Sequence, residues 1–223
     1  TPLYSSAASD VYKRQDQIFE NNRRWVASRT AADPEFFSAL SRDQQPGWLW
    51  IGCADSRVPA NEITGLDVGD LFVHRNIANL VPNTDLNSQS VIQFAVGTLH
   101  VEHVVVCGHY GCGGIKAAMQ PADLGLLNPW LRNIRDVYRM HAAELNSIED
   151  QTARTNRLVE LNVMEQCRNV LKMAVVQRRF LAGGTPLVHG WVYDLHDGLL
   201  KDLHVNTEAL LTELRAIYAL QPE

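Results

Sequence analysis

An α/β fold, with a mainly parallel central β-sheet, one antiparallel edge strand and flanking helices, is what this sequence predicts. Three observations carry the prediction. Short apolar, β-branched runs alternate with longer amphipathic stretches, as strand–helix units do. The runs Trp48–Cys53 and 104–108 lack polar alternation, which suits strands buried on both faces. The last apolar run meets a His196-Asp-Gly198 turn that leads into a further short run, an antiparallel edge pair.

The elements follow in order. Residues 1–15 are set aside: Ser5 to Gln15 resembles the in-frame translation of a sequencing-adaptor end, and an ordinary disordered N-terminus is the other reading. Residues 16–223 are expected to form one domain with an N-terminal helical arm. In that arm, 17–28, Ile18, Phe19, Trp25 and Val26 fall on one helical face, and apolar groups on an arm need a surface to dock on. Asp33-Pro34 opens a short helix that turns Phe36, Phe37 and Leu40 inward. Strands are expected at Trp48–Cys53, 71–74, 104–108 and 186–193, with the edge strand at 199–205. Helices are expected at 90–100, after Gly113-Gly114, at 128–146 behind Pro129, and as one long element at 156–180.

Composition narrows the function. At 223 residues and 46% hydrophobic, the chain can bury a full core. A net charge of −5 is a poor match for nucleic acid, whose phosphates need a concentrated basic surface. No run approaches the ~20 apolar residues of a membrane span. Four cysteines are too few for a disulfide framework, which points to a reducing compartment, the cytoplasm, with an upstream targeting segment left open.

The chemistry gathers at two strand ends. Cys53-Ala-Asp55-Ser-Arg57 follows the first strand, and His109-Tyr-Gly-Cys112 follows the third. Thiolate, imidazole and carboxylate are the donors zinc prefers, and Cys53 and Asp55, two apart in extended chain, project to one side. In a parallel sheet both clusters leave at the same edge and can converge. Cys107, inside a Val-rich strand, and Cys167, on a helical pattern, read as ordinary core. His74, His100, His103, His189 and His204 are expected to be satisfied or exposed.

Cys53-x-Asp55-x-Arg57 and His109-x-x-Cys112, with the runs at 50–59, 71–79, 107–114 and 190–193, resemble the signatures of β-class carbonic anhydrases of the bacterial type. The likeness implies that family's fold, one zinc per subunit on Cys53, His109 and Cys112, and reversible hydration of CO₂ to bicarbonate by a zinc-activated hydroxide. It implies that Asp55 and Arg57 form a dyad gating the fourth zinc position, Asp55 lying on Arg57 or on the metal. Gly113 and Gly114 would hold substrate oxygens. It further implies dimers or tetramers and, in the bicarbonate-regulated branch, a second bicarbonate pocket of Trp50, Gly52, Arg75 and Tyr193. Two other readings stay open: a related zinc hydrolase acting, for example, on carbon disulfide, and a zinc-stabilised scaffold without catalysis.

Overall fold

The computed structural model describes residues 6–218 and 220, with side chains from Arg14 on. It falls into two compact units divided after Gln44. The first unit holds helices α1 (Ser6–Ala32) and α2 (Phe36–Leu40). The stretch left out of the fold reasoning is therefore helical from Ser6 onward, continuous with the expected arm. Trp25 meets Phe36 and Phe37 edge-to-face at centroid distances of 6.4 and 5.5 Å, and the Arg29 guanidinium lies over Phe36. Phe36, Phe37 and Leu40 are half-buried rather than inward, and Ile18 and Phe19 stay exposed.

The second unit is built on five strands, β1 (Trp48–Cys53), β2 (Leu71–Asn76), β3 (His103–His109), β4 (Leu187–Tyr193) and β5 (Leu200–Asp202). Their order is β2-β1-β3-β4-β5; the first four run parallel and β5 pairs antiparallel with β4. The edge strand is shorter than expected, because Asp202 Oδ1 accepts the His204 N–H (2.8 Å) and His204 takes a positive φ, turning the chain away.

Helices α4 (Leu86–Gly97), α5 (Gly113–Ala118), α6 (Leu127–Met140), α7 (Ala142–Ser147), α8 (Gln151–Leu171), α9 (Ala174–Gly183) and α10 (Thr207–Arg215) complete the main body, with α3 (Ala60–Thr64) between β1 and β2. Asp85, Asp150 and Asn206 cap α4, α8 and α10 by accepting backbone N–H groups of the first turn. Two expected helices are each divided. The 128–146 stretch breaks at His141, and 156–180 breaks at Met173, whose backbone is extended (ψ 132°). No glycine or proline marks either break. Apolar periodicity runs through the second one because α8 and α9 both bury their inner faces on the same core, Val170 and Leu171 before it and Val176 after. Gln177 Nε2 donates to the freed Leu171 carbonyl at 3.0 Å.

The two faces of the sheet differ. One carries the main core, where α8 packs across β3 and β4. Gly108 and Gly190 allow that approach: a Cβ on Gly108 would lie 2.7 Å from a Val163 methyl, and one on Gly190 would lie 3.1 Å from the other. The second face holds a smaller cluster of Trp50, Val58, Ala60, Val105 and Cys107, edged by half-buried Trp48, Trp191 and Tyr193.

Candidate metal centre

Because β1 and β3 are parallel neighbours, with Gly52 opposite Cys107, their carboxyl ends open at one edge. Cys53 closes β1, and His109 closes β3. Gly111 then turns the chain at φ +71°, a conformation open to glycine without strain, and Cys112 returns beneath the sheet edge just ahead of α5. One ligand atom each from Cys53, His109 and Cys112 lies within 4.8 Å of the other two, and all three residues are buried. The two sulfurs are 3.9 Å apart.

The donor set has the electronics of a cation site. His109 Nδ1 is 3.1 Å from the Tyr110 carbonyl, which can only accept, so Nδ1 carries the proton and Nε2 presents a lone pair. That Nε2 is buried with no hydrogen-bond partner. Backbone N–H groups of Asp55 and Ala78 point at the Cys53 sulfur, and those of Gly114 and Ile115 at the Cys112 sulfur. The hydrogen bond from Cys112 draws the Cys53 thiol far below its ordinary value. The same bond, with burial, pushes Cys112 the other way. Two sulfurs in contact thus face an imidazole nitrogen that has no hydrogen-bond partner. A thiophilic divalent ion would pair the nitrogen and take both sulfurs as thiolates, so the residues present fit zinc.

Asp55 and Arg57 stand at the mouth. Asp55 Oδ1 accepts the Arg57 backbone N–H (3.0 Å) and Nε (2.9 Å), and Oδ2 accepts Nη2 (2.7 Å), a forked arrangement on a short turn. These bonds hold the Asp55 carboxyl well below the usual carboxylate range. Its Oδ2 is also 3.7 Å from His109 Nε2. The carboxylate therefore lies on the arginine but within reach of the three-ligand cluster. Beside Arg57 a cleft of about 540 Å³ opens, lined by Tyr110, Gly111, Lys116 and His196 among others.

Other residues singled out in the sequence fall as follows. Gly113 is open to solvent, whereas Gly114 packs against the turn after β2, where a Cβ would lie 2.8 Å from Ile77. Its N–H bonds the Cys112 sulfur. Trp50 is fully buried with Nε1 unpartnered, and a Cβ on Gly52 would sit 2.3 Å from that nitrogen. Arg75, opposite Gly52, donates Nε to the Cys53 carbonyl (2.8 Å) and Nη2 to that of Asp55. Tyr193 borders the same cluster as Trp50. Cys107 and Cys167 are fully buried, and burial drives both thiols far upward, as inert core sulfurs. His74 is buried against Asn76, and His103 bonds His189 at 3.0 Å under Trp48.

Two features escaped the sequence reading. Tyr110 is tied by its hydroxyl to Glu160 (2.6 Å), which also takes Lys201 and Arg157. The run Asn76-Ile-Ala-Asn79 forms a turn, buried at Ala78 and Asn79, that packs on β1. Partners so distant in sequence leave no local signal.

A family model described as "Carbonic anhydrase" matches residues 48–200. A carbonic anhydrase of Emericella nidulans is 63% identical over 205 residues, 92% of this chain and 90% of that protein. One from Candida albicans is 37% identical, covering 85% of this chain and 68% of its own. The β-carbonic anhydrase CafA of Aspergillus fumigatus superposes with a TM-score of 0.86 at 40% identity, over 92% of this chain and 99% of that one. One of two tetrameric β-carbonic anhydrases of Sordaria macrospora gives 0.82 at 37% identity, over 86% and 98%.

Proposed function

This chain belongs to the β-class carbonic anhydrase family, and from that premise we propose that its three-ligand centre catalyses reversible CO₂ hydration under control of the Asp55–Arg57 pair. The observation that carries the reading is the buried His109 side chain, its Nε2 unpaired, in one cluster with the Cys53 and Cys112 sulfurs, which are 3.9 Å apart. Cys53, His109 and Cys112 would hold zinc, which when bound supplies the positive charge that brings the ionisation of water to ~7. Asp55, kept on Arg57, would leave the ion open to water and offers an acceptor for its proton. The Arg57 guanidinium restores positive field that two thiolates cancel. The Gly113 amide, at the start of α5, donates to substrate oxygens.

Control follows from the competition for Asp55. A carboxylate released from Arg57 would lie within reach of a bound ion, compete there with water and so silence the site. Arg75 braces the Cys53 and Asp55 carbonyls, and it sits beside Gly52 and the unpartnered Trp50 Nε1. Bicarbonate taken up there, on Trp50, Arg75 and Tyr193, would draw Arg75 off those carbonyls and loosen the Asp55 turn. A ligand shifts an equilibrium toward the state it binds better, so acid pH and bicarbonate favour the same silent state. Stopped-flow CO₂ hydration from pH 6 to 9 should therefore rise with pH. Asp55 itself titrates well below this window, so its own protonation adds nothing there. Added bicarbonate should steepen the acid-side loss; a flat profile counts against the switch.

Self-association is proposed too, as the exposed Ile18 and Phe19 of the arm need cover. Sedimentation should give a dimer or tetramer, and a monomer at micromolar concentration would refute it. Among the described residues no helix is long and apolar enough to cross a membrane. The four free, buried cysteines suit the reducing cytoplasm.

A further inference from the structure

The turn after β2 holds two consecutive non-glycine residues in the left-handed region, Ala78 at φ +64° and Asn79 at φ +50°. Such a conformation is strained for a residue with a Cβ and persists only where its surroundings over-determine it. Ala78 is 0% exposed, and the backbone of the turn is held from several directions. Trp130 Nε1 donates to the Ile77 carbonyl (2.9 Å), and Asn162 Nδ2 donates to that of Ala78 (3.1 Å). Gln166 Nε2 supports Asn162 Oδ1 (3.1 Å), while Gln166 Oε1 accepts the Val81 N–H (2.8 Å). Asn76 closes the loop by bonding both the N–H and the carbonyl of Leu80 at 2.7 Å. Asn162 and Gln166 are each 1% exposed and four residues apart on α8, so they stack on one helical face. The turn follows directly on Asn76, the register partner of Cys53, and packs on β1, which brings the Ala78 N–H to the Cys53 sulfur as a donor. Released to an ordinary backbone conformation, Ala78 would turn that N–H elsewhere.

We infer that Asn162 and Gln166 are positioning residues that hold Ala78 left-handed, keep its N–H on the Cys53 sulfur, and thereby set how tightly the centre retains a divalent metal. The inference rests on the metal-site reading above. Buried amides satisfied at both ends make stiff supports, and removing Asn162 takes a donor from the Ala78 carbonyl and the acceptor from Gln166 Nε2. Partners of a ligand that do not touch the metal typically govern ~10–100-fold in metal affinity.

The test compares Asn162→Ala with Asn162→Ala/Ala78→Gly. Glycine adopts positive φ without the Cβ penalty, so it should restore the turn when the clamp is gone. Zinc affinity is read by chelator competition, and thiolate-to-metal charge transfer by cobalt substitution. Asn162→Ala should weaken zinc by ~10–100-fold and shift the cobalt band. The double variant should recover most of both. If the first variant does not fold, Asn162→Ser carries the same comparison. Wild-type affinity in Asn162→Ala, or a loss that Ala78→Gly does not repair, overturns the clamp. Wild-type protein that binds no zinc would sink the metal reading beneath it, a distinguishable failure.

Discussion

Cys53→Ser is expected to empty the centre and abolish CO₂ hydration. Serine keeps the volume but removes the thiolate, the one anionic donor whose ionisation the site promotes through Cys112 and two backbone N–H groups. The loss should exceed the ~10–100-fold expected for partners that do not touch the metal, because a direct ligand is gone. Stopped-flow hydration with a pH indicator, paired with metal analysis, checks both halves. Cys167→Ala is the control: that sulfur is fully buried and lies outside the cluster, so zinc content should be unchanged. Equal rates in wild type and Cys53→Ser would end the reading of the chain as a zinc lyase.

Arg57→Ala should lower kcat/KM by roughly 10²–10³, the usual cost of removing one preorganised electrostatic partner. The sign of the titration separates two explanations. Arg57 is the main cause of the depressed Asp55 pKa, so its removal lets that value rise toward the ordinary ~3.9. At pH 7 Asp55 remains ionised in either case, and protonation cannot account for the loss. What changes is the freedom of the carboxylate, whose Oδ2 is already 3.7 Å from His109 Nε2. With no arginine to hold it, the carboxylate would be free to compete with water for a bound ion. Arg57→Ala should thus keep its zinc while losing rate across pH 6–9, and Arg57→Ala/Asp55→Ala should lose the carboxylate inhibition. Full activity in Arg57→Ala would show that the pair does not gate the site.

How much of this was legible depends on what each feature is made of. Cys53, His109 and Cys112 could be named because their environments are local: each lies at or just past the end of an apolar run, and parallel strands deliver such ends to one edge. The breaks at His141 and Met173 were hidden, since helices on both sides of each break present apolar residues to the same core and no glycine or proline intervenes. The division of labour between Gly113 and Gly114 was equally hidden. Adjacent glycines look alike in sequence, yet only one has its N–H turned onto a sulfur and its back against Ile77.

The residue order by itself determined the fold class, the ligand chemistry and the meeting of two strand ends, because short-range patterning dictates strands and parallel packing dictates where they end. Only the tertiary structure decided that Asp55 rests on Arg57, that Arg75 braces the turn beneath it, and that Asn162 and Gln166 hold a left-handed Ala78 against Cys53. Those are hydrogen bonds between segments far apart in the chain or between alternative partners. Their geometry exists only once packing has excluded water and left each donor a single acceptor.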